Sequence, residues 1–291
     1  MRFRTFSSLT VAAAVMLAGC NSDEVSGVPT ELSPSASIRY VNAIADTSAL
    51  DFRFVDGEVE GSPQFTGMTF RQFTPYQRLR AGTRRIRIFT NPVPYANNAA
   101  VATQQHIDTT FSFETGKRYT IISYGFARTG ATPRHRLVIT EDVLPTALAA
   151  TAVGVRTIHA AAGVGNVDVW VQPSETAAGV SGAPTAANVA PLAATAYLSL
   201  TARPVGSLLY RWDVAPTGTT TPVTVSPNSG LPGVTGSASS NPLAGFQVGR
   251  SVVTAIVFGP SVAGSRAPSG GEFNSVGMRF LPDRHLDTTE Q

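Results

Sequence analysis

The residues of this 291-residue chain whose types point first to chemistry are four histidines, one cysteine and the acids that the fold brings near them. The histidines are His106, His135, His159 and His285. None lies at a His-x-His or HExxH spacing, so a metal site would need distant segments to converge with carboxylates. No metal site and no cofactor is expected. His159 with Asp168 is the one pair of catalytic type. An Asp that orients a His beside a serine is the general-base arrangement of hydrolases. No Gly-x-Ser-x-Gly turn exists to place such a serine. The other reading of Asp168, and of Asp51, is structural. Each sits inside an apolar alternation, where an acid can accept hydrogen bonds from the amides of a neighbouring loop or face solvent opposite an arginine. Neither GxGxxG before a helix nor GxxxxGK[ST] occurs, so nothing cradles a phosphate.

Cys20 has a different chemistry. Arg2 and Arg4 form a basic start, and Leu9 to Ala18 (LTVAAAVMLA) an apolar run. That run is too short to span a hydrocarbon core, which takes about 20 residues, so it reads as a signal peptide over residues 1–19. Leu17-Ala18-Gly19-Cys20 matches the bacterial lipobox, and the Cys20 thiol is the group that takes diacylglycerol. Several acyl chains on one residue anchor a protein firmly to a membrane. Asn21 follows, and by resemblance to Gram-negative lipoproteins a residue other than Asp here favours the outer membrane, facing the periplasm or the surface. Residues 20–36 are polar with prolines and read as a flexible tether.

Without Arg2 and Arg4 the 22 basic residues become 20 against 19 acids, a net charge of +1, so no nucleic-acid partner is expected. A single cysteine excludes a disulfide framework. Arg71, Arg78, Arg80, Arg84, Arg85 and Arg87 crowd one stretch. They read as a solvated strand face that discourages edge pairing, or as a patch for anionic groups.

The elements that position these residues are strands. Leu50 to Phe54, Arg85 to Ile88, Val167 to Val171 and Val276 to Phe280 alternate with period two. Tyr119 to Tyr124 (YTIISY) and Val252 to Phe258 (VVTAIVF) are apolar throughout and read as central strands covered on both faces. Stretches 175–195, 215–245 and 260–271 are rich in Ala, Gly, Ser, Thr and Pro and read as long surface loops. No helical periodicity follows residue 20. Ile38 to Phe54 also aligns without gaps on Val155 to Val171, matching Arg39 with Arg156, Ala43 with Ala160 and Asp51 with Asp168. Two related halves are implied, with a boundary near residues 145 to 153.

These matched residues resemble a family of bacterial exported proteins defined as domain of unknown function 4397. Its pattern opens Arg-x-x-His-Ala-Ser-Pro and runs on to Val-Asp-Val-Tyr-Val. Arg156, His159, Ala160, Val167, Asp168, Val169 and Val171 match it, and Arg39, Ala43, Asp51 and Val55 match it more weakly. Further family elements resemble Pro75-Tyr76, Leu79, Ala81-Gly82 and Gly116-Lys117-x-Tyr119-Thr120. Asn42 stands where the family has His, so a functional His would be missing from the first copy. The resemblance implies tandem immunoglobulin-like modules on an exported protein and supplies no activity.

The expectation is an all-β chain of two tandem immunoglobulin-like antiparallel β-sandwiches, at 37–148 and 149–285, with a 286–291 tail. The expected function is a non-catalytic structural or binding module of the cell envelope, held to the membrane through Cys20. An envelope protein or a polysaccharide would be its partner, and the oligomeric state is left open. The alternatives are an envelope-polymer hydrolase using His159 and Asp168, and an accessory subunit that pairs through an edge strand.

Overall fold

Period-two alternation makes strands, and the strand order makes layers. The computed structural model describes residues 34–56, 64–91, 105–175 and 179–285. The expected signal peptide, Cys20, the tether up to residue 33 and the 286–291 tail lie outside the described residues. The first half runs β1 (Ser35–Ile44), β2 (Leu50–Phe54), β3 (Phe65–Met68), β4 (Gln77–Arg80), β5 (Gly82–Thr90), β6 (Gln105–Phe113), β7 (Arg118–Gly125) and β8 (Arg136–Glu141). The second runs β9 (Ala152–Ala160), β10 (Val167–Pro173), β11 (Ala186–Val189), β12 (Leu198–Thr201), β13 (Tyr210–Pro216), β14 (Thr224–Ser226), β15 (Ser251–Phe258) and β16 (Gly277–His285). Among the described residues the helical part is one 3-10 turn, Gly271–Asn274.

The sheets of the first half are ordered β4-β1-β7-β8 and β3-β2-β5-β6, and those of the second β12-β9-β15-β16 and β11-β10-β13-β14. Strand for strand, the second half repeats the first. One pairing per half departs from an antiparallel sandwich. β1 pairs with β7 in parallel, and β9 with β15 likewise. β2 and β5 cross to the other sheet between them, and that crossover lets β7 return in the direction of β1.

Three cores follow. Ile38, Tyr40, Phe52, Ile88 and Ile121 pack between the sheets of the first half. Val155, Val169, Trp212, Phe246 and Val257 do so in the second. Val41, Ala43, Ile122 and Tyr124 meet Ile158, Ala160, Ile256 and Phe258 in a third core between the halves. The β1/β7 and β9/β15 sheets are therefore covered on both faces, which is why YTIISY and VVTAIVF carry no polar alternation. From residue 35 on, the described residues form one compact unit.

Two of the stretches read as loops contain short strands. β11 lies within 175–195 and β14 within 215–245. Both are sheet edges of only four and three residues, partly exposed, so the apolar alternation that would mark them is absent.

Candidate functional site

Arg39 and Arg156 occupy the same place in β1 and β9, on the faces turned toward the junction of the halves. Both side chains cross it. Arg39 Nη1 donates to Asp283 Oδ1 at 2.6 Å, and Arg156 Nη2 donates to Asp142 Oδ1. Each carboxylate is completed from its own half. Tyr76 Oη and Thr120 Oγ1 donate to Asp142 Oδ2, both at 2.6 Å. Tyr197 Oη and Thr254 Oγ1 donate to Asp283 Oδ2 at 3.0 and 2.7 Å. Arg39 also lies over the Tyr76 ring and Arg156 over the Tyr197 ring, at 4.7 and 4.9 Å.

Burial alone would lower the Arg39 pKa, but the charges of Asp283, Tyr76 and Asp142 outweigh it and raise it. The same contest, with Asp142 foremost among the partners, raises that of Arg156. Burial, then the nearby carboxylates, raise the pKa of Tyr197, so its hydroxyl stays a donor. The network is a closed set of paired charges without a free base. Asp142, Asp283, Tyr76 and Tyr197 lie beyond what the sequence repeat singles out. The tyrosines sit at an offset of 121 rather than 117, which hides the correspondence.

His159 is fixed by backbone. Nε2 lies 2.8 Å from Gly165 O and Nδ1 3.3 Å from Ala161 N. A carbonyl only accepts and an amide N–H only donates, so the proton sits on Nε2. Burial, against the pull of the Gly165 carbonyl, lowers the ring's pKa. Asn42 holds the same position in the first half. Its Nδ2 donates to Met68 O at 2.9 Å, and its Oδ1 accepts from Ile44 N at 3.0 Å. The amide reproduces the donor and acceptor of the imidazole, each accepting from the residue two ahead.

Asp51 and Asp168 also match each other. Asp51 Oδ1 accepts from Gly67 N at 2.9 Å, Thr66 Oγ1 at 3.0 Å and Asn91 Nδ2 at 2.8 Å. Asp168 accepts from Asn188 N at 2.7 Å, Gly218 N at 3.0 Å and Thr217 Oγ1 at 3.3 Å. The Asn188 and Gly218 amides hold the Asp168 carboxyl below the usual carboxylate range. Among the described residues no hydrogen bond joins His159 to Asp168, since the oxygens of the acid are turned to loops and the ring nitrogens to the backbone.

The arginine stretch does not form one face. Arg71 is buried, with a left-handed φ of 68°, and donates to the carbonyls of Glu272 at 2.8 Å, Gly259 at 2.6 Å and Ser275 in the other half. Burial and the neighbouring Arg279 pull its pKa down to about 10. Arg85 and Arg87 share Asp108, and Arg84 pairs with Asp56. The run is thus divided among separate partners. His106 and His135 stack edge to face at 5.9 Å. His285 ends β16, and its side chain lies outside the described residues. Among the described residues no group of three or more His, Cys, Asp or Glu could hold a metal ion.

The second sandwich contains a cavity of about 530 Å³, bounded by edge strands β11 and β12 and the segment that joins them. Thr157, Val169, Val171, Ala186, Tyr197 and Trp212 line it. It is half-open to solvent, along the exposed Ala187, Asn188, Ala190, Ala194, Ala196 and Leu198. Trp212 is 1% exposed, and its Nε1–H has no hydrogen-bond partner. The other indole, of Trp170, donates to Gly182 O at 3.1 Å. The alternation in β13 marks Trp212 as an inward residue, but nothing in the sequence shows that the space beside it is unfilled.

The family model described as Domain of unknown function (DUF4397) matches residues 36–170, and this is the family that the motif residues resemble. The match covers the first half and runs into β10 of the second. No curated protein matches the chain. Solved structures similar to it include a candidate adhesin from Bacteroides ovatus, at 9% identity, covering 84% of this chain and 92% of that one with a TM-score of 0.25. A candidate cell adhesion protein from Parabacteroides distasonis is 9% identical, covers 86% and 98%, and has a TM-score of 0.19. Another from Bacteroides eggerthii is 8% identical, covers 86% and 95%, and has a TM-score of 0.20. At such TM-scores the likeness carries no functional argument.

Proposed function

We propose that this protein is a lipid-anchored component of the cell envelope whose joined sandwiches serve as a non-catalytic binding module. One observation carries the non-catalytic part. The motif residues with catalytic chemistry are committed to the frame, and Asn42 does in one half what His159 does in the other. A general base needs a titrating nitrogen free to face a substrate. An asparagine has none, and the position works with either residue. The hydrolase alternative also requires His159 and Asp168 to act together, and they bond to different segments.

Attachment falls to Cys20, the single cysteine, placed directly after Leu17-Ala18-Gly19. No helix among the described residues is long and apolar enough to cross a membrane. The partner would be an envelope protein or polysaccharide.

Fractionation of cells carrying the native chain and a Cys20→Ala version tests the anchor. The native protein is expected in the membrane fraction and the variant in the soluble one, with protease treatment of intact cells reporting the face. Equal retention of both would overturn the anchored reading. A hydrolytic turnover lost in His159→Ala and in His159→Asn alike would overturn the non-catalytic one.

A further inference from the structure

We infer that the cavity of the second sandwich is a binding site for a small, uncharged, ring-sized apolar molecule. This rests on the binding-module reading and names its ligand class.

Strand register fixes which residues of the two halves correspond. Phe52 faces Phe65 across β2 and β3, and Val169 faces Ala186 across β10 and β11. Phe54 faces Ile86, and Val171 faces Trp212. Tyr40 and Thr157 directly follow Arg39 and Arg156. So Tyr40, Phe52, Phe54 and Phe65 in the first half become Thr157, Val169, Val171 and Ala186 in the second. The four rings of the first half pack on one another. Tyr40 stacks on Phe65 at 5.9 Å, and Phe52 meets Tyr40, Phe54 and Phe65 at 5.2, 5.1 and 5.5 Å. All four replacements line the cavity.

The cavity thus lies at the four positions that carry this aromatic cluster in the first half, while the rings of the second half, Tyr210, Trp212, Phe246 and Phe280, pack on one another. The cavity's volume falls within the range of small-molecule sites. The strand frame cannot close the gap, because β9 and β15 are pinned on their other face by the junction with the first half.

The lining states the chemistry. Four smaller side chains where the first half has rings leave a space sized for a ring. Arg156 is the charged residue that borders it, and it is already neutralised by Asp142, so a charged ligand would find no counter-ion. Trp212 presents an apolar ring to the cavity.

The test uses prodan, an uncharged naphthalene with a ketone oxygen whose emission shifts to the blue in apolar surroundings. The full chain carrying Cys20→Ala keeps lipid and detergent out of the assay. The expected result is saturable binding of one equivalent with a blue shift. Ala186→Phe, which restores the ring found at Phe65, should abolish binding while its melting temperature holds or rises. Val171→Phe is a second filling variant in case the first does not fold. No saturable binding, or equal binding by the folded filling variants, would overturn the site. Either failure leaves the membrane fractionation result untouched, so loss of the ligand class and loss of the anchored-module reading are separate outcomes.

Discussion

Arg39 in the first half is bonded to Asp283 in the second at 2.6 Å, 244 residues along the chain, and Arg156 makes the reverse crossing to Asp142. The motif arginine therefore binds the partner half rather than a ligand. Asp283→Asn would leave a buried guanidinium that cannot lose its proton. It should cost about 3–5 kcal/mol in urea unfolding. Adding Arg39→Met should recover part of that loss, since the pair is then removed rather than broken.

The shared core predicts one unfolding event. Both tryptophans lie in the second half, so their fluorescence reports that half, while far-UV circular dichroism reports all the strands. The two curves should coincide. Asp142→Asn, a change in the first half, should shift the fluorescence midpoint about as far as Asp283→Asn does. A first half that melts with the second unaffected would contradict this.

His159 makes the fold sensitive to acid. Burial puts its folded pKa below the ordinary 6.5, so between the two values the unfolded chain binds more protons. The stability from the neutral ring is present above about pH 6.5 and is lost as pH falls below it. His106, lowered by burial and by His135, acts in the same direction. His159→Asn should lose less melting temperature between pH 7.5 and pH 5 than the native chain. His159→Ala should be the less stable variant at pH 7.5, because it orphans the Ala161 amide and the Gly165 carbonyl.

Asp168→Ala removes the acceptor for Asn188 N and Gly218 N and should cost about 2 kcal/mol. Hydrogen exchange should speed up at those two amides and along β11, which borders the cavity.

The strands were legible because alternation survives wherever one face is buried, as in Leu50 to Phe54 and Val167 to Val171. The repeat was legible because Arg39, Asp51, Arg156 and Asp168 hold the frame in each half and keep the same spacing. What each residue touches was not legible. Arg71 reads as one more surface charge, yet it is buried because its turn lies at the junction, and junctions leave no local pattern. Asp142 and Asp283 sit at strand ends outside the aligned segment. The cavity is invisible for another reason. Val169, Val171 and Ala186 are ordinary core residues singly, and only register with Phe52, Phe54 and Phe65 shows that the second half has smaller side chains where the first has rings.

The most direct test of the account is the indole region of a proton–nitrogen correlation spectrum, where this chain gives one peak each for Trp170 and Trp212. The Trp212 peak, assigned by Trp170→Phe, should shift as the prodan ring seats beside that indole in the Cys20→Ala chain, while the Trp170 peak, bonded to Gly182, stays in place. A stationary Trp212 peak at saturation, or movement of Trp170 alone, would contradict it.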